Sequence, residues 1–197
     1  MNDLQTKARI ELIRRRCRRD GGFSFFVENV FSASFDEFID GDYIREVTER
    51  MENNRWTMDV TARDHFKSTR LYAEIMFDIF STDKDLEGHY FSYNLDLSRY
   101  HLKKLKLMIE RNPFFKGIVD LNPQADAQMV YFNGDARISM SPAGLLSFKR
   151  GIHADRIYID DPLKDPDNKL APTVILKINS VIKLEIFAMV NKGGSVS

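Results

Sequence analysis

The sequence predicts one α/β domain in which a single sheet carries helices on both faces, and three observations lead there. A chain of 197 residues with 43% hydrophobic content is long enough for one substantial core and too short for two. From about residue 56 onward, short apolar or β-rich runs alternate with stretches of helical period, the pattern of a layered α/β sheet. "DRIYIDD" is a near-continuous apolar run that closes on two aspartates, as buried parallel strands do. Residues 1–55 read as an N-terminal helical segment packing on a core that spans 56–197.

Residues 3–19 form a predicted helix with Ala8, Leu12 and Ile13 apolar and arginines at 14, 15, 16, 18 and 19, ended by Gly21-Gly22. The aromatic-rich "FSFFVENVFSASFDEFI" reads as short helical turns, and "DYIREVTERMENN" as a helix. "RWTMDVTA" is a strand with Trp56 in the core. In "STRLYAEIMFDIF", Leu71, Ile75 and Ile79 recur at four-residue steps, an amphipathic helix. "GHYFSYNL" is a strand, and "SRYHLKKLKLMIERN" a helix with Leu102, Leu105 and Ile109 on one face, stopped by Pro113. Lys103, Lys104 and Lys106 fall on the opposite, solvent face, where DNA contact is the alternative reading. "KGIVDL", "AQMVYFN" and "ARISM" are short strands, followed by a loop, "SPAGLLSFKRG". The last helix runs from Pro172 to Val190 and is ended by Lys192-Gly193-Gly194. "KGGSVS" begins a fresh strand, so a truncated chain is expected.

Twenty-nine basic and 29 acidic residues balance, so the chain as a whole is no polycation and nucleic-acid contact would fall to local patches. The run "RRRCRR" is such a patch, though on a helix it wraps most of the cylinder and also reads as a solvated, ion-paired end. A single cysteine, Cys17, excludes a disulfide framework and fits a reducing compartment. No stretch approaches the ~20 apolar residues of a membrane span. The four histidines are scattered without partners at ligand spacing, which sets zinc aside.

The chemistry gathers at "DVTARDHFKST". In the phosphate loop G-x-x-x-x-G-K-[ST] (Walker A), backbone N–H groups wrap the phosphates, lysine reaches the β and γ oxygens, and the hydroxyl ligates magnesium. Here Thr61 and Phe66 occupy the glycine positions, yet Lys67-Ser68 falls between a strand and a helix, whose start offers free N–H donors and a positive dipole end. The phosphate-binding stretch is Arg63, Asp64, His65, Phe66, Lys67, Ser68 and Thr69, with Arg63 able to fork onto a γ-phosphate. A magnesium site also needs an acid at the end of a neighbouring buried strand (Walker B). Asp160 answers that need, and Asp161 beside it is placed to orient the attacking water as general base. Arg63 and Asp161 are thus the catalytic candidates, with Ser68 and Asp160 for Mg2+. Arg150 and Arg137 are alternative arginine fingers.

"TARDHFKST" followed by "RGIHADRIYIDDPLKD" resembles the ATPase domain of the large terminase subunits of tailed bacteriophages. In that family the loop often reads as arginine, three variable residues, then Lys-Ser or Lys-Thr, which Arg63, Lys67 and Ser68 match. "IDDPLKD" is similar to the acidic strand and following turn, and "KRGIHADRI" to the segment before it. The resemblance covers roughly residues 35–197. It implies a RecA-like (ASCE) P-loop NTPase with a central, mostly parallel sheet, an ATPase that uses ATP and Mg2+ to translocate double-stranded DNA. Full-length relatives work as a homo-oligomeric, pentameric ring with the terminase small subunit and the portal protein, in the cytoplasm of the infected bacterial host. They also carry a threonine-bearing coupling strand and a nuclease domain beyond this chain. Two departures stand out: aspartate at 161 where many relatives have glutamate, and no glutamine between Gln5 and Gln124 to contact adenine, a task that Phe35, Phe38 or Tyr43 would take. Two other readings stay open at this stage. One is a metal-dependent nuclease on Asp160, Asp161, Asp165 and Asp167, and the other a non-catalytic assembly domain.

Overall fold

The computed structural model describes residues 3–38, 41–54, 56–58, 67–122, 128–148, 151–163 and 171–197. Three N-terminal helices, α1 (Asp3–Cys17), α2 (Gly22–Asn29) and α3 (Asp42–Asn53), precede α4 (Lys67–Ser81), β1 (Leu86–Ser92) and α5 (Leu95–Arg111). β2 (Val119–Asp120), β3 (Met129–Asn133), β4 (Ala136–Gly144), β5 (Ala154–Ile159), α6 (Pro172–Val181) and β6 (Val190–Val196) follow. The six strands form one sheet in the order β2-β3-β4-β1-β5-β6. β4, β1, β5 and β6 are parallel, whereas β2 and β3 join antiparallel beside β4.

The pleat divides the interior in two. Tyr90 and Tyr158 belong to a core shared with α4, α5 and the N-terminal helices, while the adjacent Phe91 and Ile157 belong to one built on α6. Helices therefore cover both faces, as the alternating sequence predicts. On α4 the expected Leu71, Ile75 and Ile79 are buried, joined by Met76 and Phe80. Each such side chain contributes about 1.5–3 kcal/mol of burial. α1 stops where the sequence says: Gly21 takes a φ of 70°, and a Cβ on Gly22 would stand 1.9 Å from the Cys17 carbonyl oxygen.

Four expectations need correction. The loop expected from Ser141 is strand: β4 continues to Gly144, with Pro142 opposite Tyr90. Among the described residues β3 pairs with β4 as far as Met140, and Pro142 is held in the strand by its pairing with β1. Lys192-Gly193-Gly194 does not end the last helix. α6 passes through a π turn (Ile182–Ile186) and a 3-10 turn (Phe187–Met189), and the glycines lie inside β6. There Gly193 has a φ of 95° and Gly194 approaches the Asp155 carbonyl, where the pairing with β5 shifts register. Trp56 is 44% exposed rather than core, edge-on to Phe187 at 4.9 Å. Of the strand expected around it, the described residues show one parallel bridge, Trp56 to Val196. Lys106 is not a surface cation: it is buried, 3.2 Å from Asp120 and hydrogen-bonded to the Asn122 carbonyl.

Candidate functional site

The bridge at Trp56 runs parallel to β6, so the chain at that point travels in the same direction as the four parallel strands. In such sheets ligands bind beyond the carboxyl ends of the strands. That is where the two halves of the expected site meet. Lys67 is the first residue of α4, and its Nζ lies 3.1 Å from Asp161 Oδ1, a pair separated by 94 residues in sequence. Both side chains are partly open to solvent, at 33% and 50% exposure.

Asp161 and Asp160 are fixed differently. β5 ends at Ile159, after which the Asp160 N–H donates to the Phe91 carbonyl (2.9 Å) and the Tyr93 N–H to the Asp161 carbonyl (3.2 Å), so the acidic pair is tied to the end of β1. Asp161 has a φ of 42°, the sole non-glycine residue in the left-handed region among the described residues. Backbone strain of this kind is held in place at functional sites. Asp160, by contrast, is 3% exposed. Its Oδ2 accepts a 2.6 Å hydrogen bond from the Tyr90 hydroxyl and lies 3.7 Å from His101 Nδ1. The same nitrogen is hydrogen-bonded to the Tyr72 hydroxyl at 2.5 Å.

Burial sets the protonation of this group of side chains. It pushes the Tyr90 hydroxyl well above the ordinary phenol range, and the Asp160 charge pushes it further, so Tyr90 remains a donor. Tyr72 is raised by the same two causes. Burial lowers His101 and outweighs the opposing pull of Asp160, which keeps the imidazole neutral near pH 7. None of these three residues was legible as part of a site. Tyr72 and Tyr90 fall within a helical and a strand stretch with no motif around them, and the one available signal was His101 on the apolar side of α5, where a buried histidine requires a polar partner.

Ser68 and Thr69 lie half-buried on the first turn of α4. One turn beyond Lys67, Arg70 lines a small apolar cavity with Phe38, Tyr43 and Ile44 among its other walls. Burial lowers the Arg70 pKa against the nearby charges of Glu74, Tyr43 and Asp160. Phe38 and Tyr43, two of the three aromatics expected near adenine, thus flank the helix that begins at Lys67, while Phe35 packs on Phe31 and Phe38.

Arg63, Asp64, His65, Phe66 and Arg150 lie outside the described residues, as do Asp165 and Asp167. Arg137 is exposed near the start of β4, its N–H donating to Asp85, at the amino edge of the parallel strands. Seven residue steps, about 23 Å of strand, separate it from Gly144 at the carboxyl edge. The "RRRCRR" run binds its own chain: Arg14 Nε donates to the Phe80 carbonyl (3.0 Å), Arg18 Nε to the Ser81 carbonyl (2.6 Å), and Arg16 to the Asp20 carbonyl.

Among the described residues, no group of three or more His, Cys, Asp or Glu side chains is arranged to hold a metal. A magnesium ion bound together with phosphates needs less, because it keeps several waters and takes one or two protein oxygens. The Ser68 hydroxyl and the Asp160 carboxylate are hard donors of that kind. Among the described residues both side-chain contacts of Asp160 fall on Oδ2, and Oδ1 is the oxygen that would meet a magnesium-bound water.

Fold and site together define an α/β protein with a helix-start lysine paired with Asp161, next to the buried Asp160, at the carboxyl edge of a largely parallel sheet. No protein-family model matches the sequence, and no curated protein does. Among solved structures, the large terminase of a thermophilic bacteriophage, determined in complex with ATP-γ-S, is similar over 68% of this chain, with 11% sequence identity and a TM-score of 0.44. This chain covers 30% of that one. No helix of the described residues is long and apolar enough to cross a membrane.

Proposed function

We propose that the chain is a Mg2+-dependent ATPase domain, the motor of a phage DNA-packaging terminase. The observation that carries the nucleotide reading is the 3.1 Å approach of Lys67 to Asp161 at the start of α4. Two segments far apart in sequence, each read independently as half of a phosphate site, come together at the sheet edge where ligands bind. The terminase assignment, with RecA-like architecture, double-stranded DNA as track, a pentameric ring, and the small subunit and portal protein as partners, rests on the sequence motifs.

In this reading phosphate oxygens compete with Asp161 for Lys67. Once Lys67 turns to the β and γ oxygens, Asp161 loses its counterion and is free to accept a hydrogen bond from the attacking water. The N–H groups opening α4 supply further donors for phosphate. Ser68 and Asp160 would hold magnesium, which would supply positive charge beside the phosphate oxygens. The base lies toward the cavity of Phe38, Tyr43 and Arg70.

Titration calorimetry with ATP and Mg2+ tests this directly. Binding by the parent chain, reduced at least tenfold in Lys67→Ala, is the expected result. Equal affinity in the two proteins would sink the reading. Heat with neither ATP nor ADP from a folded chain would favour the assembly domain instead, and cleavage of plasmid DNA in Mn2+ would favour the nuclease.

A further inference from the structure

Asp160 is more deeply held than an acid that only meets a magnesium-bound water needs to be. A carboxylate at 3% exposure has lost nearly all of its water and must recover that cost from fixed donors. One donor dominates. The Tyr90 hydroxyl reaches Oδ2 at 2.6 Å, a length typical of a charge-assisted O–H···O⁻ bond. Tyr90 is itself immobile: its side chain is fully buried, its ring stacks on His101 with centroids 5.6 Å apart and planes 29° apart, and its carbonyl accepts from Ser98 Oγ at 2.5 Å.

From this geometry we infer that Tyr90 is the positioning residue of the magnesium site: by occupying Asp160 Oδ2 it fixes the carboxylate plane and commits Oδ1 to the metal's water. The inference rests on the proposed nucleotide reading. His101 completes the arrangement from the neighbouring helix. With its Nδ1 engaged by Tyr72 and 3.7 Å from Oδ2, it blocks the side on which the carboxylate would otherwise turn. Partners that orient metal-binding groups in this way typically change metal affinity by about 10–100-fold when removed.

Tyr158 provides an internal control. It stands two residues before Asp160 on β5, equally buried, and its hydroxyl donates at 2.6 Å to Asp78 instead. Tyr90→Phe and Tyr158→Phe therefore delete the same group from similar surroundings, and only the first touches Asp160.

The experiment is a Mg2+ titration of ADP binding by the full chain, read from the fluorescence of a labelled ADP, with a parallel measurement in EDTA. Tyr90→Phe should leave affinity in EDTA unchanged and raise the Mg2+ concentration at half-effect about tenfold or more, while Tyr158→Phe should match the parent in both. If Tyr90→Phe reproduces the parent's Mg2+ dependence, or if Tyr158→Phe shifts it equally, the positioning role is overturned while the nucleotide reading stands. A parent chain that binds no ADP at any Mg2+ concentration overturns both.

Discussion

Lys67 and Asp161 form an ion pair that does little for the fold. Both groups are substantially exposed, and pairs of this kind contribute about 0–1 kcal/mol. Their value is chemical, which makes the two contributions separable. Asp161→Asn should leave the urea midpoint within experimental error of the parent and keep nucleotide binding, since it removes a competitor for Lys67. Steady-state phosphate release should fall by about 10²–10⁴, the usual contribution of a positioned general base. A variant that turns over at the parental rate would show that Asp161 is not the base. Asp160 is the opposite case, a buried acid whose partners come from β1 and α5 rather than from its own strand.

At the scale of elements, α4 joins site and core, and both its ends are built by distant residues. Its last carbonyls are capped three ways: by Arg14 on Phe80, by Arg18 on Ser81, and by the Asn133 side-chain amide, which donates to the carbonyls of Ile79, Phe80 and Thr82 at 3.0, 3.0 and 3.2 Å. Asn133→Ala strands buried acceptors and should cost about 1–3 kcal/mol in urea denaturation. A loss below about 0.5 kcal/mol would mean that the arginines alone suffice. Midway along α4, Glu74 accepts from Ser197 Oγ at 2.8 Å, but its Oε2 is buried without a partner. Burial first and Asp78 second raise its pKa to about 7, against the opposing effects of Ser197, Arg156 and Arg70. A carboxyl raised on folding stabilises fully below its unfolded value near 4.5 and loses that contribution as pH rises through about 7. The stability advantage of Glu74→Gln over the parent should therefore grow by on the order of 2–3 kcal/mol between pH 5 and 8, read from urea melts. A pH-independent difference would show that Glu74 titrates normally.

For the molecule as a whole, what the sequence made legible was whatever local period or a terminal residue type encodes. The apolar steps of α4 and α5, the glycine stop of α1, and the strand ending in Asp160-Asp161 were all readable, because each is written within a few neighbouring residues. Features set by partners across the sheet were not. Pro142 belongs to a strand since β1 pairs with it, Gly193-Gly194 marks a bulge since β5 lies beside it, and Tyr90 joins the site since β5 delivers a carboxylate to its hydroxyl. The Lys67–Asp161 approach was anticipated from two motifs, each incomplete alone, whereas the buried Tyr72–His101–Asp160–Tyr90 group needed the folded chain to be seen.

Because the proposed site draws on α4, β5 and β1 at once, a ligand seated there should stabilise the whole domain rather than one loop. Binding to the native state alone adds RT ln(1 + [L]/Kd), about 2.7 kcal/mol at a hundredfold excess over Kd. For a chain of 197 residues, each kcal/mol moves the midpoint by about 2–4 °C, so saturating ADP with Mg2+ should raise Tm by roughly 5–10 °C. Lys67→Ala should melt near the unliganded parent temperature and lose most of that rise, since the substitution removes a partly exposed side chain and the phosphate contact together. Magnesium alone should do almost nothing to either protein, because Ser68 and Asp160 furnish too few protein ligands to hold the ion without phosphate oxygens. A parent chain whose midpoint is unmoved by ADP and Mg2+ at millimolar concentration would leave the helix-start lysine as a structural ion-pair partner and remove the case for an ATPase.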